Sequence, residues 1–537
     1  FFRLPPPLPP PRLEHMGKWP WIGILGLALA ACASAQIRPE AVAVLYNAQQ
    51  ESSRQLAEVY RAARGIPQEN LIGLSMPLTE EITREQYEQQ IAGPLRAEFD
   101  RRNWWKLQRD AQGLRVPVEN RIRVLLSMRG VPLKIRQSEA GAKASIGVDR
   151  TRQPFVGHDE ASVDSELATL GAEGVVLEGA QNNPYYRGSQ TIDQAALSRL
   201  MLTCRIDAAS DETCRRMIRD AIEIEKSGLW GMAYVDIANK FPQGDEWLKA
   251  VAAQNRAVGI PTVIDRFNAT LPTHYPMRHA AQYFGWYERN ANGPLLDPTF
   301  RFRQGAVAMH LHSFSAEQMN DVKRNWCAAL LDRGAAVTLG NVYEPYLHLS
   351  HDFALLHQRL LQGHTWVEAC WMAMPVVSWQ GVIFGDPLYR PFLHLGGTGE
   401  VREEERDYRA LCVAMQQWRN APGERRTQLK TAALRMKSGI MLEALALDCL
   451  EDGLADKAAS LFYEAGELYS DPADKLRQDL HLAAQREGAR QRESAISQLR
   501  DAAKRHADLP QVAAVQAWLL WLDPPPPQNS NLPATGP

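Results

Sequence analysis

The sequence predicts an α/β protein with a mostly parallel, doubly wound sheet, followed by an all-helical C-terminal region, on three observations. Apolar runs such as AVAVLYN (41–47) and RIRVLLSMRGVP (121–132) lack the alternation of a half-solvated strand, so they need cover on both faces. Helical patterns separate such runs at about one strand and one helix per ~25–30 residues, the rhythm of βαβ units. Beyond GGTGE (396–400) the strand-like runs stop, charge becomes denser and apolar residues take helical spacing.

Taken in order, AVAVLYN (41–47) reads as a buried strand, SSRQLAEVYRAAR (52–64) as an amphipathic helix and NLIGL (70–74) as a strand, a βαβ opening. REQYEQQIAGPLRAEF (84–99) reads as a helix that Pro94 breaks or bends. After strand 121–132 comes an excursion over 137–190, rich in Gly, Ala and Asn, with a short helix from Asp164 onward. Excursions of that length often carry function. Alternation then resumes with a capped helix (210–228), strand MAYVDI (232–237), a helix (245–259) and strand PTVIDR (261–266). Strand 305–314, helix 316–334, strand 335–345, helices 351–363 and 366–375, and VIFGDPLYRP (382–391) complete the α/β part. The expected divisions are an upstream segment with a signal peptide (1–35), an α/β domain (36–399), a helical domain (400–526) and a Pro-rich tail (527–537). In the helical domain, Ala458-Phe462-Ala465 and Ala495-Leu499-Ala502 match at an offset of 37 residues (458 to 495), near the ~34-residue tetratricopeptide period. The Trp, Gly and Tyr positions of that pattern are not met, so an irregular bundle is the other reading.

Hydrophobic residues make up 45% of the chain and charged residues 23%, the composition of a folded protein. Lys plus Arg number 60 against 62 for Asp plus Glu, so nucleic acid as a partner has no support in composition. Met16 is the expected start. Lys18, the apolar run Trp21–Ala31 and the small residues that follow have the layout of a secretory signal. Leu29-Ala30-Ala31-Cys32 also matches a bacterial lipobox, in which Cys32 is acylated and anchors the exported protein to a bacterial membrane, placing it in the periplasm or at the outer membrane. A cut after Ala33-Ser34-Ala35 would instead release it, starting at Gln36.

No dinucleotide fingerprint, Walker A run, H-E-x-x-H or G-x-S-x-G occurs in the sequence. Polar residues at the ends of predicted strands remain, because the crevice beyond those ends is where open α/β sheets bind ligands. His310 and His312 end one strand with Ser313 beside them, Asn341 and Glu344 end the next, and Asp386 follows a third. If the strand persists to residue 312, the two histidines share a face. His312 with Glu344, Asp386 or Asp164 would suit a general base or a divalent metal site, and Ser313 a nucleophile. Asp164, Asn341 and His310 are the candidate ligand-binding groups. The structural alternatives are a core histidine at 310, turn roles for Asn341, Glu344 and Asp386, and helix capping for Asp164. Cys204 and Cys214, close in sequence in an exported chain, are the expected disulfide.

GNVYEPYLHLSHDF, ASVDSELATL, ARGIPQENLIGLSMP, YFGWYERN and SWQGVIFGDPLYRPF resemble an uncharacterised bacterial family of secreted proteins, over about residues 38–395. The resemblance implies export but supplies no reaction. More remotely, the strand order and the G-D-P-L-Y turn are similar to caspase- and gingipain-like cysteine peptidases, with His312 at the histidine position. The strand AAVTLGN ends without a thiol and Cys327 falls within a predicted helix, so the nucleophile of those enzymes is not matched. Two readings stay open: a noncatalytic envelope protein that binds a ligand or partner and carries a helical scaffold for protein partners, and a hydrolase-like enzyme.

Overall fold

The structure, a computed structural model, describes residues 37–111, 113–149, 155–172, 179–192, 199–265 and 270–525. Cys32, the signal segment and the Pro-rich tail lie outside them. The chain begins with β1 (Val42–Asn47), α1 (Glu51–Arg64) and β2 (Leu71–Leu74), followed by β3 (Val124–Met128) and β4 (Leu202–Ile206). Then come α2 (Asp211–Ser227), β5 (Met232–Asp236), α3 (Pro242–Val258), β6 (Thr262–Asp265), β7 (Ala280–Gly285) and β8 (Val307–His310). The α/β part ends with α4 (Cys327–Asp332), β9 (Thr338–Asn341), α5 (Phe353–Leu361), α6 (Trp366–Ala373) and β10 (Gly381–Phe384).

Six strands lie in the order β9-β10-β4-β3-β1-β2 and four in the order β6-β5-β7-β8. A parallel bridge, Val307↔Val337, joins the two sets at β8 and the start of β9. The pairs β2-β1, β1-β3 and β3-β4, and all pairs of the second set, are parallel. Strand β10 runs antiparallel to β9 over Thr338↔Phe384 to Asn341↔Gly381. The strands β3, β4, β5, β7 and β8 are buried throughout, as their unalternated sequences require.

Local chemistry sets the helix ends. Gly65 closes α1 in the left-handed conformation (φ 67°), and Ser210 caps α2 by accepting from Thr213 N–H. Thr365 and Glu368 form a capping box on α6. In the 84–99 segment the bend precedes Pro94: a wide turn over Glu88–Ala92 separates Arg84–Tyr87 from Gly93–Arg101. The expected helix 316–334 shrinks to α4, because Gln318 ties its side chain to the Asp321 and Arg324 carbonyls and folds residues 316–326 into turns. The hairpin Trp105–Arg109/Arg115–Asn120 was not expected from sequence.

Seven further helices follow among the described residues: α7 (Arg406–Gln417), α8 (Pro422–Met436), α9 (Gly439–Glu451), α10 (Ala455–Leu468), α11 (Pro472–Gly488), α12 (Arg492–Arg505) and α13 (Val512–Leu522). The chain is thus a mixed α/β region followed by an all-helical one. Among the described residues no helix is long and apolar enough to cross a membrane. Residues of both regions, such as Ile260 and Tyr275 with Leu411 and Leu445, belong to one hydrophobic cluster. Ion pairs reinforce the contact: Arg256 of α3 reaches Asp448 of α9 at 2.9 Å, and Arg278 pairs with Asp471.

Candidate functional site

The carboxyl ends of the strands offer polar groups, and a cleft between β6 and the helices offers space.

At the strand ends, β8 stops at His310, so the two histidines do not continue along one strand face. His310 is buried and fully engaged. Its Nε2 accepts from Glu288 N–H at 3.1 Å, which leaves Nδ1–H to donate to the Tyr283 hydroxyl at 3.1 Å. Tyr283 in turn donates to Asp236 at 3.5 Å, and Trp326 stacks on the imidazole at 3.4 Å. Burial, with His312 nearby, holds the His310 pKa well below its ordinary value, so the ring is neutral. This is the satisfied core histidine among the sequence alternatives.

His312 is half-buried beside Tyr287 (ring centroids 5.1 Å apart). Its Nδ1–H donates to the Ser313 carbonyl rather than the hydroxyl, which leaves Nε2 as the basic atom. Burial lowers its pKa, while the Ser313 carbonyl, Glu344 and Glu288 act in the opposite sense. None of Glu344, Asp164 and Asp386 forms an ion pair with it. Glu344 is exposed and accepts from Tyr346 N–H at 3.1 Å, a turn role. Asn341 is buried, its backbone held by Ser315 Oγ (3.1 Å) and Ala316 N–H (3.0 Å), and its Oδ1 has no partner among the described residues.

Asp386 lies elsewhere. Strand β10 is antiparallel to β9, so the turn after it sits at the end opposite Asn341. There Asp386 is fully buried, accepting from Arg64 Nε at 2.6 Å, the Tyr60 hydroxyl at 3.0 Å and Leu388 N–H at 3.0 Å, while Arg64 also pairs with Glu225. The pattern of strand ends could not reveal this, because it assumed one direction for every strand.

The excursion does reach the end of the sheet at which Asn341 closes β9, beside the start of β10. Ser162 donates to the Gly381 carbonyl at 2.7 Å and Gln380 to the Glu160 carbonyl at 3.1 Å. Asp164 starts the short helix Val163–Leu167, but Ser162 caps it, through Ser165 N–H. Asp164 instead serves Arg205, which is fully buried and bonds it through Nε (2.8 Å) and Nη2 (2.5 Å), and bonds Asp207 at 3.0 Å. Burial pushes Asp207 up to about 6 against the pull of Arg205 and Arg129. Glu166 is likewise raised by burial although Arg84 lies 3.0 Å away. The reading from sequence missed Arg205 and Asp207; its available signal was a charged pair inside LTCRID, an otherwise apolar strand.

The expected Cys204–Cys214 disulfide is corrected: both thiols are free and buried. Cys204 faces the Gly385 carbonyl beside β10 at 3.3 Å, and the connecting loop is organised by Arg129, which binds the Ala208 and Ala209 carbonyls and Asp211. Burial raises the pKa of both thiols, and that of Cys327 to about 12, so none is activated as a nucleophile. Among the described residues no group of three or more His, Cys, Asp or Glu is placed to hold a metal ion.

The cleft is the larger feature. A space of about 330 Å3 opens between the start of β6 (Ile260, Thr262) and Leu411, Leu429 and Leu445. A second of about 720 Å3 opens between the end of β6 (Val263, Asp265), Tyr275, and Leu450, Glu487 and Trp518. Ile264 and Glu451 line both, so the two adjoin along the strand. A buried ion network fixes the helical wall: Glu443 of α9 takes two bonds of 2.7 Å from Arg477 of α11, with His481 at 2.9 Å and the Tyr469 hydroxyl at 2.5 Å. Comparison of the chain with protein-family models, with curated proteins and with solved structures found no match.

Proposed function

We propose that this chain is a noncatalytic binding protein of the bacterial envelope, which uses the helical region as a scaffold and the cleft along β6 as its binding site. One observation carries the reading: adjoining spaces of about 330 and 720 Å3, apolar with a few polar groups, lie where two layers meet. Ion pairs on both flanks, Arg256–Asp448 and Arg477–Glu443, keep such a cleft preformed, so little ordering is needed on binding. The hydrolase alternative asked for carboxylates gathered at His312, and Glu344, Asp164 and Asp386 each have other partners. Export rests on the signal layout before Cys32 and on the resemblance over about residues 38–395.

Filling the larger space tests the site. An Ala484→Trp change on the cleft wall should weaken binding of the apolar fluorophore 1-anilinonaphthalene-8-sulfonate at least tenfold with the fold intact. Unchanged dye binding would remove the cleft from the account. For the anchor, the intact mass of the exported protein should show an acylated N-terminal Cys32. An unmodified chain starting at Gln36 would refute the anchor and keep export.

A further inference from the structure

We infer that the cleft receives an extended peptide, apolar with a Lys or Arg, that joins the sheet as a strand beside β6. The inference rests on the binding reading above and specifies its ligand class. Among the described residues strand β6 is the edge of its sheet, paired with β5 alone. In that parallel register Ala233 faces Thr262 and Val235 faces Ile264, with Ala233 N–H bonded to the Pro261 carbonyl and Ile237 N–H to that of Asp265. Residues 261, 263 and 265 therefore turn their backbone groups toward β5, and Thr262 and Ile264 turn theirs outward. No hydrogen bond reaches these outward groups among the described residues. Such an edge is a template for another strand, and native edges are normally blunted or covered.

Here the edge is flanked by space instead. Gly259–Thr262 and Ile264 line the smaller space and Val263–Asp265 the larger, so between them the two spaces border the strand through its length. A compact ligand would fill one of them; an occupant that runs along both is extended. Strand addition gives such an occupant main-chain hydrogen bonds, with specificity from the side chains that enter the spaces. On the wall of the larger space, Glu487 Oε2 and Gln485 Oε1 are buried acceptors without a partner among the described residues. Acceptors that include a carboxylate favour a cationic donor, hence the Lys or Arg.

The test pans a phage-displayed library of random peptides of about 12 residues against the full chain and measures the affinity of the enriched peptides. Expected are alternating apolar sequences with a Lys or Arg. Methylating the peptide backbone nitrogens at one alternate set of positions should weaken binding at least tenfold, and at the other set very little. Ile264→Pro removes an outward N–H and leaves the β5 ladder intact, so it should cost a similar factor, and Glu487→Gln should weaken binding several-fold. The methylated peptides use the unaltered protein, so the result stands even if the proline variant folds poorly. If neither methylated set loses affinity, or no peptide enriches while the dye still responds to Ala484→Trp, strand addition is refuted and a compact apolar ligand takes its place. If dye and peptides are both indifferent to Ala484→Trp, the cleft reading falls as well.

Discussion

Replacing Glu443 by Gln keeps the shape of the side chain and removes its charge. Glu443 and Arg477 have no exposed surface, and Arg477 donates to both Glu443 oxygens at 2.7 Å. The substitution leaves a buried guanidinium with Asp474 as its remaining carboxylate, and leaves His481 and Tyr469 facing an amide. Removing one partner of a buried pair costs about 3–5 kcal/mol. Because Asp474 stays, the lower end, about 3 kcal/mol, is expected, a large share of the ~5–15 kcal/mol that stabilises a domain. Burial alone would raise the Glu443 pKa, but Arg477 and His481 hold it far below the ordinary 4.5. A depressed carboxylate contributes its full stabilisation above the unfolded pKa and loses it as pH falls toward the folded one. The deficit of the Gln variant should therefore be largest above pH 4.5 and shrink on acidification below it. Urea unfolding followed by circular dichroism across pH 3–7 measures both quantities. A Gln variant within about 1 kcal/mol of the parent at pH 7 would refute the argument that this network secures the cleft wall. So would a deficit that grows in acid.

Asp207, raised to about 6, should act in the opposite sense: the stability of its protonated form is full below about pH 4 and is lost as pH rises through 6. Asp207→Asn should remove up to about 3 kcal/mol of that pH dependence; a variant as pH-sensitive as the parent in thermal melts would contradict this. Asp386→Asn should cost about 3 kcal/mol by leaving Arg64 with only Glu225, yet leave dye binding in the cleft unchanged. Linked loss of binding would tie that end of the sheet to the site. Iodoacetamide should label Cys204 and Cys214 only after unfolding, and a disulfide-linked peptide between them would overturn the packing described.

The fold class was legible because hydrophobic periodicity reports which faces are buried, and here the periods agree with the elements over most of the chain. AVAVLYN, MAYVDI and VLLSM are strands for the reason their sequences offer, and SDETC starts a capped helix through Ser210. Direction is a different kind of information. VIFGDPLYRP reads the same whether its strand runs with or against a neighbour, and the antiparallel pairing of β10 with β9, beside a parallel one with β4, sends Asp386 to the opposite end from Asn341. Spacing also says nothing about what fills a loop: CRIDAASDETC permits a disulfide, but Arg129, from another strand end, takes the loop carbonyls. The cleft was the least legible feature of all. Thr262 and Ile264 sit in an ordinary strand pattern, and only the pairing with β5 on one side and the placement of Leu445, Leu450 and Trp518 on the other turn PTVIDR into an open edge. Polar residues at strand ends are visible in a sequence, but an unpaired backbone is not, since every residue except proline carries the same donor and acceptor. A chain whose recognition rests on main-chain groups therefore leaves little trace of it in residue types, and backbone methylation of a ligand is the probe suited to find it.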